Sequence, residues 1–137
     1  MAAETAAERA TAADAERMLG YLRAMEARDL DGARAFLHPD FVMVFPGGRR
    51  MSDLAALVEF ARTRYRFVRK TFEETDLGTD RRGRPVVVLC GTLYGEWLDG
   101  TAFSGIRYVD RFVLRDGLIL EQHVWNDLAD TLRAAGR

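Results

Sequence analysis

The chain has 137 residues, of which 48% are hydrophobic and 30% charged, and these proportions exclude a disordered chain and a disulfide-rich scaffold. Its 20 basic and 21 acidic residues give a net charge of -1, so no overall positive field draws the protein to nucleic acid or to an anionic membrane. Cys90 is the only cysteine, which excludes an internal disulfide bond.

The N-terminal segment mixes acidic residues with alanine and lacks the apolar run of a signal peptide. No uncharged stretch is long enough to cross a bilayer. We therefore expect a cytoplasmic protein without membrane or nucleic-acid partners. It should consist of a flexible tail over residues 1–11 and a single domain over residues 12–137.

The first half of the domain has a helical pattern. Apolar residues spaced three and four positions apart predict a long helix over residues 12–28. These apolar residues are Met18, Tyr21, Leu22 and Met25. A short second helix should follow Asp29 and end at His38-Pro39, before a strand over Phe41 to Phe45. Ser52 or Asp53 is the predicted cap of a third helix.

From residue 65 onward the apolar period changes from that of a helix to that of a strand. Four long strands are predicted over residues 65–77, 85–97, 102–115 and 118–126, the last two joined by an Asp116-Gly117 hairpin turn. Residues 127–137 add a short terminal helix. Helices followed by an antiparallel meander indicate an α+β fold rather than a parallel sheet.

Several kinds of chemistry have no sequence support. The chain lacks a glycine-rich phosphate loop and a serine nucleophile elbow. His38 and His123 lie far apart without nearby ligands, so we expect no metal and no cofactor. A basic cluster flanks Tyr65 and Phe67, a mixture that a nucleic-acid-binding surface would use, and it consists of Arg62, Arg64, Arg66, Arg69 and Lys70. Acidic residues follow at once, so we interpret this cluster as a solvated helix end and edge strand.

Two segments of the chain carry a family pattern: Tyr21 to Gly32 with the following Phe36-Leu37-His38-Pro39-Asp40-Phe41, and Asp110-Arg111-Phe112 through Asp116-Gly117 to Val124-Trp125-Asn126-Asp127. They resemble the nuclear-transport-factor-two-like superfamily, which includes ketosteroid isomerases, SnoaL-like polyketide cyclases, limonene-epoxide hydrolases and scytalone dehydratase. The resemblance implies a cone, in which a strongly bent, mainly antiparallel sheet wraps around the long N-terminal helix and encloses an apolar pocket. It also implies a small hydrophobic ligand, carbonyl-bearing or polycyclic.

The resemblance to the isomerases also implies site residues. Their oxyanion-hole tyrosine matches Tyr21, and their neutral aspartic acid, kept protonated by apolar surroundings, matches Asp110. Their general base falls on Phe45, and the acid–base aspartate of the cyclases and epoxide hydrolases falls on Val124. Three hypotheses therefore stay open: an isomerase, cyclase or dehydratase, a non-catalytic ligand-binding protein, and a protein-interaction module.

Strand alternation assigns the faces of the last two strands. If Asp110 points into the pocket, so do Tyr108, Gln122 and Asn126, whereas His123 points outward. Arg107 and Arg111 lie on the opposite face, so Asp110 should be protonated and should donate, beside Tyr21, to an enolate. The expected lining is completed by apolar side chains, Phe45, Met43 and Val124.

The outward-facing side chains of these strands predict a partner. Val109, Val113, Ile119 and Trp125 would leave an apolar patch on the outer face of the sheet. Exposed patches of this kind usually mark contacts between proteins, so we expect a homodimer.

Overall fold

A computed structural model describes residues 7–136 of the chain. The helices are α1 (Ala12–Glu26), α2 (Leu30–Arg34), α3 (Leu54–Arg62) and α4 (Leu128–Ala134). The strands are β1 (Leu37–Phe45), β2 (Arg49–Met51), β3 (Tyr65–Lys70), β4 (Glu74–Thr79), β5 (Pro85–Trp97), β6 (Ala102–Arg115) and β7 (Leu118–Asn126).

The strands form one strongly curled sheet in the order β2-β1-β7-β6-β5-β3, with β4 also pairing with β5. Every pairing is antiparallel except that of β1 with β7, which is parallel. Helix α1 packs its apolar stripe against the sheet and forms the main core. The predicted α+β cone is confirmed.

Helix α1 begins where the sequence provides a cap. The hydroxyl of Thr11 accepts a hydrogen bond from Asp14 N at 3.2 Å, and the Asp14 carboxylate accepts one from Thr11 N at 2.8 Å. The helix ends at Glu26, two residues earlier than predicted, because Arg28 adopts a left-handed φ of 59°. Tyr21 on its buried side packs edge-on against Phe112, with ring centroids 6.2 Å apart.

The predicted tail falls partly outside the described residues, because residues 1–6 are not among them. Backbone hydrogen bonds join residues 8–10 to β4 and to the loop that follows it. Glu8 N donates to Gly83 O at 2.9 Å, and Ala10 N donates to Gly78 O at 3.1 Å. Ala10 is buried. The ordered part of the domain therefore begins before Ala12.

The predicted strand over residues 65–77 is in fact two strands. Both β3 and β4 pair with β5, but the register is interrupted between Lys70, opposite Leu93, and Glu74, opposite Cys90. The edge bends at Thr71, whose carbonyl lies directly against Gly91 of β5. A side chain on Gly91 would occupy the space of that carbonyl, so the bend depends on this glycine.

This packing makes Gly91 sensitive to substitution. We expect Gly91→Ala to lower the free energy of unfolding by about 1–3 kcal/mol, because its Cβ displaces the Thr71 backbone. Urea denaturation measures this. Gly78→Ala is the matched control, since a Cβ there meets nothing within 4 Å. Equal losses of stability in the two variants would contradict the role of Gly91.

Two other expectations are corrected by pairing between distant segments. Strand β1 starts at Leu37 rather than at Phe41, because Leu37 pairs with Ile119 of β7. Val113 and Ile119 are completely buried rather than exposed on the outer face. A register shift between Val113 and Leu114 breaks the alternation, so both of these neighbours are buried.

Candidate functional site

The curled sheet and the helices enclose a cavity of about 490 Å³, within the range of small-molecule pockets. Its wall is mostly aromatic and aliphatic, with residues from α1, α3, α4 and the concave face of the sheet. Of the predicted lining residues, the following are in the wall: Tyr21, Phe45, Tyr108, Gln122, Val124 and Asn126. Met43 is fully buried behind the wall.

Asp110 is completely buried, as its position on an apolar strand predicts. Its Oδ2 accepts a hydrogen bond from Lys70 Nζ, and the two side chains form an ion pair. Its Oδ1 has no hydrogen-bond partner among residues 7–136. Lys70 lines the cavity, where its ammonium lies 4.6 Å from the centroid of the Tyr108 ring. Of these two charged groups, the ammonium therefore lies at the cavity wall and the carboxylate lies behind it.

This arrangement corrects the expectation that Asp110 has no cationic partner, because Lys70 reaches it from β3. Asp110 also does not line the cavity itself. Its position instead fixes Lys70, which carries the donor protons in its place.

Tyr21 and Asp110 are not hydrogen-bonded to each other, contrary to the predicted pair of adjacent donors. The Tyr21 hydroxyl donates to Gln122 Oε1 at 3.3 Å and lies 3.8 Å from Met43 Sδ. Burial, and secondly the negative charge of Asp110, raise the pKa of the Tyr21 hydroxyl well above its usual value. Tyr21 therefore remains a protonated donor at the cavity wall at neutral pH.

Tyr108 and Asn126, two other predicted residues, line the cavity but use a polar group of the side chain in a hydrogen bond to the backbone. The Tyr108 hydroxyl donates to Thr71 O at 2.6 Å, so its ring faces the cavity while its hydroxyl is engaged. Burial, followed by the charge of Asp110, raises the pKa of this hydroxyl. Asn126 Oδ1 accepts from Leu128 N at 3.1 Å and so supports the start of α4.

Sequence reasoning missed Lys70, which was interpreted as part of a solvated edge strand. A signal was available, because Lys70 is the only lysine beside 19 arginines and has the same strand parity as the cavity residue Val68. Glu26, at the end of α1, was also missed. Its Oε1 accepts from Lys70 N at 2.7 Å, and it is the only carboxylate among the described residues that line the cavity.

The structure also bears on three expectations outside the cavity, which concern His123, metal ligands and membrane-spanning helices. His123 lies on the outer face, as predicted, where Nε2 is 3.0 Å from Glu121 Oε1 and the ring stacks on Trp125. Within residues 7–136, no three acidic, histidine or cysteine side chains come together as metal ligands. No helix in the same range combines the length and apolar character needed to span a bilayer.

Comparisons with known proteins agree with this geometry. The model of the SnoaL-like domain family matches residues 18–122. No curated protein sequence matches the chain.

Solved structures share the fold at low sequence identity. An NTF2-like protein of unknown function from Burkholderia pseudomallei has a TM-score of 0.73 at 19% identity, covering 90% of this chain and 97% of its own. TerC, crystallised with polyporic acid, has a TM-score of 0.73 at 23% identity, with coverages of 90% and 98%. IdmH, a putative polyketide cyclase from Streptomyces antibioticus, has a TM-score of 0.70 at 19% identity, with coverages of 90% and 99%.

Proposed function

The chain belongs to the SnoaL-like domain family, and we propose that it is a cofactor-independent enzyme of the isomerase, cyclase or dehydratase type. Its substrate is a small hydrophobic molecule that carries a carbonyl group, and the reaction proceeds through an enolate. The observation that supports this proposal is the Lys70 ammonium, held by a buried carboxylate at the wall of a mostly apolar cavity.

The proposed chemistry assigns one role to each polar group at the wall. The Glu26 carboxylate removes a proton from the carbon next to the carbonyl, and the electron pair of that C–H bond moves onto the carbonyl oxygen. Lys70 donates a hydrogen bond to the oxygen as its negative charge develops, and Tyr21 does the same by exchanging its 3.3 Å hydrogen bond to Gln122 Oε1 for one to the substrate. Glu26 then returns the proton to another carbon conjugated with the enolate. In a cyclisation, the α carbon of the enolate instead attacks a second carbonyl carbon, and the oxygen of that carbonyl takes the proton from Glu26.

The test is deuterium exchange at the α carbons of 2-tetralone, a bicyclic ketone that suits an apolar cavity of about 490 Å³, followed by proton NMR. We expect the protein to accelerate exchange and both Lys70→Met and Glu26→Gln to abolish the acceleration. Arg115→Met is the control, because this exposed cation lies outside the cavity wall. Undiminished exchange in both cavity variants would disprove the assigned roles.

A second candidate function is ligand binding without catalysis. Phe45 and Val124 favour it, since they occupy the cavity wall at the positions where the isomerase and cyclase resemblances place an acid or base. The two functions give different results with 2-tetralone. Binding that protects the ketone without accelerating exchange favours the second.

The homodimer is also a proposal, now supported by a smaller patch. Trp125 is 54% exposed and Val109 is 37% exposed, and the two residues are paired across β6 and β7 on the outer face. We expect sedimentation to show a dimer at tens of micromolar protein, and Trp125→Ser to shift it toward the monomer. Tyr94→Ser, at a site 39% exposed on β5, is the control and should leave the mass unchanged. A monomeric unsubstituted protein would contradict the proposal.

A further inference from the structure

The charges at the cavity wall do not balance. Four cationic side chains line it, whereas Glu26 is the only anionic one among the described residues, and the cations are Arg28, Arg49, Arg64 and Lys70. The buried Asp110 compensates Lys70. Burial, and secondly the charge of Arg62, lower the pKa of the Arg28 guanidinium, and the nearby Glu26 carboxylate opposes both effects in part. Among the wall residues that the structure describes, no carboxylate is left to balance Arg49 and Arg64.

These two arginines meet on one aromatic ring. The guanidinium carbon of Arg49 lies 4.4 Å from the centroid of the Phe60 ring, and that of Arg64 lies 5.2 Å from it. Neither side chain has an ion-pair partner within residues 7–136. Contact with Phe60 restricts both guanidinium groups, so less side-chain entropy is lost when they bind an anion.

The position of this pair relative to Lys70 sets the shape of the ligand. Arg64 directly precedes β3, and Lys70 is its last residue. An extended strand of this length separates their backbones by at most about 20 Å, because β3 carries a register shift between Tyr65 and Phe67. Lys70 and the Arg49–Arg64 pair are therefore separate parts of the cavity wall, with Tyr65 and Val68 of β3 between them.

We infer that the ligand is an elongated acid, with an oxyanion such as a carboxylate against Arg49 and Arg64 and an apolar ring system extending toward Lys70. This inference rests on the proposed function, because the carbonyl that reacts lies at the Lys70 end. Arginine suits the anionic end, since its planar guanidinium binds a carboxylate through two parallel hydrogen bonds.

A matched pair of fluorescent probes tests the inference. 1-Anilinonaphthalene-8-sulfonate and N-phenyl-1-naphthylamine share one ring system and differ by the sulfonate. We expect the protein to bind the anionic probe about tenfold more tightly, as for a hydrogen bond to a charged group. The Arg49→Gln, Arg64→Gln double variant should lose that preference and keep its affinity for the neutral probe. Displacement of each probe by the other shows that both occupy one cavity.

Arg115→Gln is the matched control and should keep the preference for the anion, because Arg115 is exposed and lies outside the cavity wall. Equal affinities of the unsubstituted protein for the two probes would overturn the inference. So would a double variant that loses both probes equally, because the arginines would then act through packing alone. If 2-tetralone exchange remains accelerated in either case, the proposed function stands without the anionic end. If neither probe nor 2-tetralone binds, both proposals fail.

Discussion

Lys70→Met is expected to lower the free energy of unfolding by about 3–5 kcal/mol, because it leaves the Asp110 carboxylate buried without its ion-pair partner. Asp110 is 0% exposed, so water cannot replace the ammonium. The Lys70 side chain keeps 19% exposure, which places the expected loss near the lower end of that range. Urea denaturation at neutral pH measures the loss.

Asp110, the other member of the ion pair, provides the control for Lys70→Met. Lys70→Met combined with Asp110→Leu removes both charges, and we expect it to recover most of the lost stability, because a hydrophobic pair can replace a buried ion pair at little cost. Arg69→Met changes a neighbouring exposed cation and should alter the free energy of unfolding by at most about 0.5 kcal/mol. A loss below about 1 kcal/mol for Lys70→Met would mean that the pair behaves as a surface salt bridge.

The parts of the fold that were predicted correctly are those governed by neighbouring residues. Asp53, one of the two predicted caps, accepts from Ala55 N at the start of α3, and Asp116 and Gly117 adopt φ values of 54° and 75° in the predicted hairpin turn. The break between β3 and β4 has no such local cause. It depends on Gly91, which is twenty residues away from Thr71 and contacts it only after β5 has paired with this edge.

The sequence predicts which face of a strand each site residue occupies, but it does not predict contacts between side chains on different strands. Alternation on β6 and β7 correctly placed Tyr108, Gln122 and His123 on their faces. The expectation that Asp110 has no cationic partner was wrong, because its partner Lys70 is forty residues earlier on β3, and β5 lies between the two strands. Only the order of the strands brings the ammonium to the carboxylate.

2-Naphthol, a planar phenol, should bind in the cavity as its anion at neutral pH. A phenolate oxygen at the Lys70 ammonium mimics the developing enolate, and the distinct absorbance of the naphtholate reports its ionisation. Loss of one donor at such a site costs about 2.7–4 kcal/mol, so Lys70→Met should weaken binding by about 100-fold or more and remove the naphtholate spectrum. Tyr21→Phe should weaken it by about tenfold at most, because its hydroxyl is a neutral donor, kept protonated by its raised pKa.

Two substitutions of Asp110 test whether it acts by positioning the Lys70 ammonium. Asp110→Asn leaves an oxygen that accepts from Lys70 Nζ, so it should weaken naphtholate binding less than Asp110→Leu, which frees the ammonium to move. The matched ligand is 2-methoxynaphthalene, which cannot ionise and should bind all four variants alike. Circular dichroism verifies that each variant is folded. If 2-naphthol binds all the folded variants as tightly as the unsubstituted protein, then neither Lys70 nor Tyr21 contacts the anion, and the reacting oxygen lies at another part of the cavity wall.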